Sequence, residues 1–173
     1  IYPGTCRPRM EYERIFPEHH PRPRDATLRL EVSRINPQLF QHRIDTPQGG
    51  WHSYASYTET GIGPGGASGL IEFTPQDIRT QVGDFVVARK DMGTSYHLSV
   101  VVDDAAQGVT QVIRGADLSD ATRIHVVLQR LLGLPTPIYH HHRLIRDDQG
   151  KRLAKRDDAR ALSKYRAEGA TPA

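Results

Sequence analysis

Gly108-Val-Thr-Gln-Val-Ile-Arg-Gly-Ala-Asp117 opens the part of the chain that decides the fold. Its alternating apolar residues read as a strand running through Arg114 into Gly115. Ser119 or Asp120 can cap a following helix, whose apolar positions Ile124, Val127, Leu128, Leu131 and Leu132 fall on a helical stripe. Gly133 and Pro135 stop that helix. Ile138 to Ile145 reads as the next strand, Asp147-Asp-Gln-Gly150 as a tight turn, and Ala159 to Glu168 as a helix stopped by Gly169. Strand, helix, strand and helix in succession predict parallel pairing and an α/β layer.

Before this unit, Asp84-Phe-Val-Val-Ala-Arg89 predicts a buried strand that ends in the turn-like Asp91-Met-Gly93. Tyr96-His-Leu-Ser-Val-Val-Val-Asp-Asp104 is ambiguous, because its three valines favour a strand by a propensity that packing readily overrides. Leu28, Leu30 and Val32 alternate with polar residues and predict a short half-buried strand. From Gly49 to Gly69 the chain is rich in Gly, Ser and Thr, with Trp51, Tyr54 and Tyr57 interspersed, and reads as a mobile loop. Its Gly61-Ile-Gly-Pro-Gly-Gly66 run is a poor phosphate loop, since no Lys-Ser/Thr pair and no helical pattern follow it. Ile1 to Ala26 holds five prolines and reads as irregular. Ile1 is neither an initiator Met nor the start of a signal peptide, so the expectation is a chain that begins inside a longer polypeptide.

The 173 residues suit one medium domain or two small ones. No apolar run approaches the ~18 residues of a membrane span, which excludes an integral helical membrane protein. A single cysteine excludes an internal disulfide and a four-cysteine zinc site, and makes the cytoplasm the default setting. Net charge is only +3, yet basic residues number nine against five acidic ones from Arg143 to Ala173, and 14 against 15 before that. Nineteen of the 23 basic residues are Arg, whose planar fork suits phosphate, so a polyanionic partner competes with a merely solvated basic face.

Four features can carry chemistry. Arg114 stands at the C-terminal end of a parallel strand, where open α/β sheets bind ligands, and can hold a carboxylate or simply pair with Asp117. Gly150-Lys-Arg-Leu-Ala-Lys155-Arg156 is a basic loop able to stabilise charge on a transferring phosphoryl or adenylyl group, or only to touch RNA. In Tyr139-His-His-His142, His140 and His142 share one strand face and His141 the other, two same-face ligands do not close a zinc site, and no carboxylate stands at a fitting spacing. The thiol of Cys6, four residues after Tyr2, reads as a small buried residue, with His19 and His20 as metal ligands by type only.

Taken in order, Tyr96 to Thr110, Val112-Ile-Arg-Gly-Ala-Asp-Leu118, Leu128-Gln-Arg-Leu-Leu-Gly-Leu-Pro135 and Gly150-Lys-Arg-Leu-Ala-Lys155 resemble the second half of a class I glutamyl-type aminoacyl-tRNA synthetase, over roughly the last 90 residues. Tyr2-x-x-x-Cys6-Arg7, the run from Ala88 to His97, and Tyr139 to Ile145 look most like the family's truncated glutamyl-queuosine tRNA(Asp) synthetase branch. That branch lacks an anticodon-binding domain and glutamylates queuosine in the tRNA(Asp) anticodon.

The resemblance implies the fold class: an α/β chain holding the second half of a Rossmann-like parallel sheet, Asp84 to Ala173, after an inserted acceptor-binding α+β region, Ile1 to Gly83. It implies that Tyr96 and Arg114 bind L-glutamate, and that Arg152-Leu153-Ala154-Lys155-Arg156 is the mobile KMSKS-like loop, with Lys155 contacting ATP. It places Tyr96 to Asp104 in a helix, Mg2+ with the ATP, and Tyr2 and Cys6 in a structural zinc site completed by ligands before Ile1. The implied partner is tRNA(Asp) and the implied state a monomer. Ala154 stands where the loop often has Ser, which predicts a tuned loop, and Asp91-Met-Gly-Thr94 departs from the commoner turn before the Ser-Tyr pair. The HIGH-type motif and the family's first glutamate-binding residues have no counterpart after Ile1, so this stretch alone is expected to be inactive. Two rivals remain: ordinary glutamyl-tRNA synthetase, and a noncatalytic RNA-binding module whose affinity would follow salt and ignore ATP and glutamate.

Overall fold

The computed structural model describes residues 27–44, 51–146, 149–152, 162–169 and 171. The segments expected to be irregular before Ala26, and most of the basic loop, lie outside the described residues.

Among the described residues, seven strands and three helices of six or more residues frame the fold: β1 (Leu28–Leu30), β2 (Gln41–Ile44), β3 (Trp51–Glu59), β4 (Gly69–Phe73), β5 (Phe85–Ala88), α1 (Tyr96–Ala106), β6 (Gln111–Gly115), α2 (Thr122–Leu132), β7 (Ile138–His142) and α3 (Leu162–Ala167). The parallel pairing expected of the strand-helix-strand unit is present, with β6 alongside β7 and Arg114 opposite His141. β3 extends the same sheet, antiparallel to β2 and β4 and parallel to β7 where Glu59 faces Tyr139. β1 and β5 form a separate antiparallel pair, held by the Asp84 carboxylate accepting the Val32 N–H at 3.0 Å.

The stretch read as a mobile loop is corrected here. Among the described residues of that stretch, 51–59 form the longest strand in the structure, and the connection from Thr60 to Ser68 holds a single 3-10 turn at Pro64–Gly66. Ala55, Tyr57 and Glu59 are buried at alternate positions, a period-2 signal that the surrounding Ser and Thr residues mask. The Gly-rich connection serves close packing. Thr60 and Ile62 donate backbone N–H groups to the carbonyls of Tyr139 and His141 at 2.9 and 2.7 Å, and a Cβ on Gly61 would stand 2.3 Å from the His141 carbonyl oxygen.

Tyr96 to Asp104 is helical, as the resemblance implied and the valines did not. Ser95 caps α1, its hydroxyl accepting the Leu98 N–H at 3.3 Å, and Val101 is buried against the core. Of the expectations for α2, the cap fails and the stripe holds in part. The N-cap is Ala121 rather than Ser119 or Asp120; Val127 and Leu128 are buried as expected, but Leu131 and Leu132 are exposed, and burial extends instead through Thr122, His125, Val126 and Gln129. The i, i+3, i+4, i+7 face that packs on the sheet is therefore polar at three of four positions, a pattern an apolar count passes over. Gly133 ends the helix in the left-handed region at φ 66°.

One core runs between the sheet and these helices, built on Phe73, Ile78, Phe85, Val101, Val126, Leu128, Tyr57 and Tyr139. Each such side chain contributes roughly 1.5–3 kcal/mol on burial. No helix among the described residues is long and apolar enough to cross a membrane.

Candidate active site

Arg114 and His141 are direct neighbours across β6 and β7, and their side chains share the sheet face covered by α2. Four N–H groups of the Arg114 guanidinium are engaged: Nε donates to His141 Nε2 at 3.0 Å, Nη1 to His125 Nδ1 at 3.0 Å, and Nη2 to the Leu118 carbonyl at 3.2 Å and Thr122 Oγ1 at 2.8 Å. Its carbon lies 5.3 Å from the centre of the Tyr139 ring, a cation–π contact, and that ring stacks on His141. Arg114 does not pair with Asp117, the structural alternative that its sequence left open; Asp117 instead binds Arg152 at 2.7 Å.

Tyr96 is the first residue of α1 and half-exposed, its ring centre 6.0 Å from that of His125 and 5.5 Å from that of His97. His125 thus touches both residues assigned to glutamate: it accepts from Arg114 and lies under the edge of Tyr96. His97 Nδ1 meets His125 Nε2 at 3.0 Å. Burial, reinforced by the Arg114 charge, pushes the His125 imidazole down to about 3 and that of His97 below its usual value. Both rings are therefore neutral at physiological pH.

Behind Arg114, His141 is fully buried and its Nδ1 lies 2.5 Å from the Glu59 carboxylate. Burial alone would raise the Glu59 carboxyl, but hydrogen bonds from the His141 backbone and ring and from the Gly61 N–H outweigh it and hold the group below its ordinary range. The histidine run therefore has a carboxylate partner after all, supplied by a strand 82 residues earlier that no spacing rule would find. Among the described residues no group of three His, Cys, Asp or Glu side chains could hold a metal ion. Tyr2 and Cys6, the residues expected in a zinc site, lie outside the described residues.

On the other face of β6, at the C-terminal ends of β6 and β7, Gly115, Asp117, His142, Leu144, Ile145 and Arg152 line a cavity of about 300 Å³. A Cβ on Gly115 would fall 2.4 Å from the Asp117 carboxylate and 3.2 Å from Leu144, so glycine keeps that wall open. This edge of a parallel sheet is where ligands of open α/β folds bind. Arg152 anchors the start of the basic loop there; Leu153, Ala154, Lys155 and Arg156 lie outside the described residues.

Residues 66–173 match the family of class I tRNA synthetases (E and Q), catalytic domain. The chain belongs to that family. Among relatives of the class I synthetase chain, the Glutamyl-Q tRNA(Asp) synthetase of Rhodobacter capsulatus is 51% identical over 100% of this chain and 54% of its own length. The Glutamyl-Q tRNA(Asp) synthetase of Ectopseudomonas mendocina is 41% identical over 90% of this chain and 40% of its own. The chain thus spans about half the length of the curated relatives it matches. A solved glutamate-tRNA synthetase from Elizabethkingia anophelis aligns with 64% of this chain and 22% of its own, at 21% identity and a TM-score of 0.45.

The residues that sequence reading missed are Glu59, His125, His97 and Thr122. Glu59 was legible only through the alternation of β3, and His125 and Thr122 only once α2 is rotated to place its polar stripe inward.

Proposed function

We propose that this class I synthetase chain carries the amino-acid pocket and the nucleotide-side loop of an enzyme that activates L-glutamate with ATP and transfers it to queuosine in tRNA(Asp). The observation that supports this reading most is the convergence of Tyr96 and Arg114 on His125, together with a cavity at the ends of β6 and β7 that shares Leu118 with the Arg114 cluster. A fixed guanidinium near a phenol suits a carboxylate-bearing amino acid, and that cavity suits a nucleotide. The names of the relatives support tRNA(Asp) as the RNA.

In this reading a glutamate carboxylate oxygen attacks the α-phosphorus of ATP, pyrophosphate leaves, and glutamyl adenylate forms. A queuosine hydroxyl then attacks the acyl carbon and AMP leaves. Arg114 and Tyr96 orient the amino acid, while Lys155 neutralises charge that builds on the phosphates, with Mg2+ accompanying ATP as in any such nucleotide reaction. Asp117 binds Arg152, the first residue of the loop, at the rim of the cavity.

The test is transfer of labelled glutamate by the complete gene product to three RNAs: tRNA(Asp) with queuosine, tRNA(Asp) without it, and tRNA(Glu). Labelling of the first alone is the expected result. Labelling of tRNA(Glu) would replace this reading with ordinary glutamyl-tRNA synthesis, and salt-dependent RNA binding without transfer would replace it with a noncatalytic module.

A further inference from the structure

A guanidinium carries five N–H donors, no acceptor, and a proton it does not release. Four of the five in Arg114 are committed, so every atom they meet must offer a lone pair. His141 must then be bare at Nε2 and protonated at Nδ1, and His125 bare at Nδ1 and protonated at Nε2. Each proton has an acceptor waiting: Glu59 Oε2 for His141, and Nδ1 of His97 for His125. The polarity of the whole chain, from Glu59 through His141, Arg114 and His125 to His97, is fixed at one end by a group that can only accept.

Glu59 is itself immobilised. It is 1% exposed, and its Oε1 takes backbone N–H groups from Gly61 at 2.8 Å and His141 at 3.0 Å. A buried anion and a half-buried cation thus stand on either side of one imidazole, which transmits orientation without transferring charge. One Nη1–H of Arg114 stays uncommitted among the described residues.

We propose that Glu59 is a positioning residue for Arg114: by holding His141 in its Nδ1–H tautomer it aims the guanidinium so that a single N–H, backed by the full positive charge, meets the substrate carboxylate. The inference rests on the glutamate-binding reading above and deepens it. Arg114 is a one-pronged anchor rather than a two-pronged clamp, and the residue that makes it so lies outside every motif of the family resemblance.

Glu59→Gln separates this role from a structural staple. The amide oxygen can keep both backbone N–H groups, preserving the link between β3 and β7, but the amide NH2 now faces His141 Nδ1. His141 must take its proton on Nε2, where it opposes the Arg114 Nε–H. In the complete gene product, glutamate-dependent ATP–pyrophosphate exchange should show a KM for glutamate raised about tenfold while the KM for ATP changes less than about twofold. 15N NMR of the [15N]histidine-labelled protein should find His141 protonated at Nδ1 and bare at Nε2 in the wild type, and reversed in Glu59→Gln.

An unchanged KM for glutamate in Glu59→Gln, or equal losses on both substrates, would overturn the proposal. So would a wild-type His141 carrying its proton on Nε2 or on both nitrogens, a result that stands even where the variant does not fold. A wild type with the expected tautomer but no glutamate-dependent exchange removes the functional reading, and the positioning role with it, while leaving the hydrogen-bond chain in place; the two failures are thereby distinguished.

Discussion

The Nε–H of Arg114 donates to Nε2 of His141 at 3.0 Å, and the two residues are cross-strand neighbours of β6 and β7. Parallel pairing therefore supports the site as well as the fold. The register that puts Arg114 opposite His141 also puts Glu59, at the end of β3, within reach of the far side of the imidazole. A slip of one residue in either strand would turn one of these side chains to the opposite sheet face.

The closest backbone approach in this arrangement lies at Gly61. Gly61→Ala places a methyl 2.3 Å from the His141 carbonyl oxygen, an atom that cannot move without disturbing β7. The variant should lose about 1–3 kcal/mol of stability, read from its urea midpoint at constant m-value. It should also bind glutamate less well, because the shifted strand carries His141.

Acid should destabilise the protein through His125. The folded imidazole titrates at about 3 and the unfolded one near its ordinary 6.5, so between those values the unfolded chain binds a proton that the folded chain refuses. Stability then falls toward acid by about 1.4 kcal/mol per pH unit, beginning near pH 6.5, with no contribution above it. His125→Gln keeps an acceptor for Arg114 and removes the titration. Its loss of stability between pH 7 and 5 should be smaller than that of the wild type by about 2 kcal/mol, measured by urea unfolding at both pH values.

Lys155→Ala should slow adenylate formation by about 100-fold with little change in the KM for glutamate, because the ammonium is assigned to the phosphates and not to the amino acid. Single-turnover formation of glutamyl adenylate measures the step directly. A variant that forms adenylate at the wild-type rate would remove the loop from the mechanism.

The strand-helix-strand unit from Gly108 to His142 was legible because the alternation of its first strand, the apolar positions of its helix and the Gly133 stop point to the same element order, even though the helix turns a partly polar face inward. The strand from Trp51 to Glu59 was not, since Ser53, Ser56 and Thr58 dilute an alternation carried by only Ala55, Tyr57 and Glu59. The same limit applies to the site. Tyr96 and Arg114 stand in recognisable segments, but the groups that orient Arg114 come from three different elements and are polar residues buried by packing. Local sequence reports propensity and period; it does not report which distant carboxylate a buried imidazole will meet.

Arg114→Lys tests the central claim most directly, because the ammonium keeps the charge but cannot reproduce four donors in fixed directions. In the complete gene product, glutamate-dependent ATP–pyrophosphate exchange should show a KM for glutamate at least about tenfold higher than wild type, with the KM for ATP changed by less than about twofold. A glutamate KM equal to that of the wild type would contradict the account, and so would a parallel loss for both substrates.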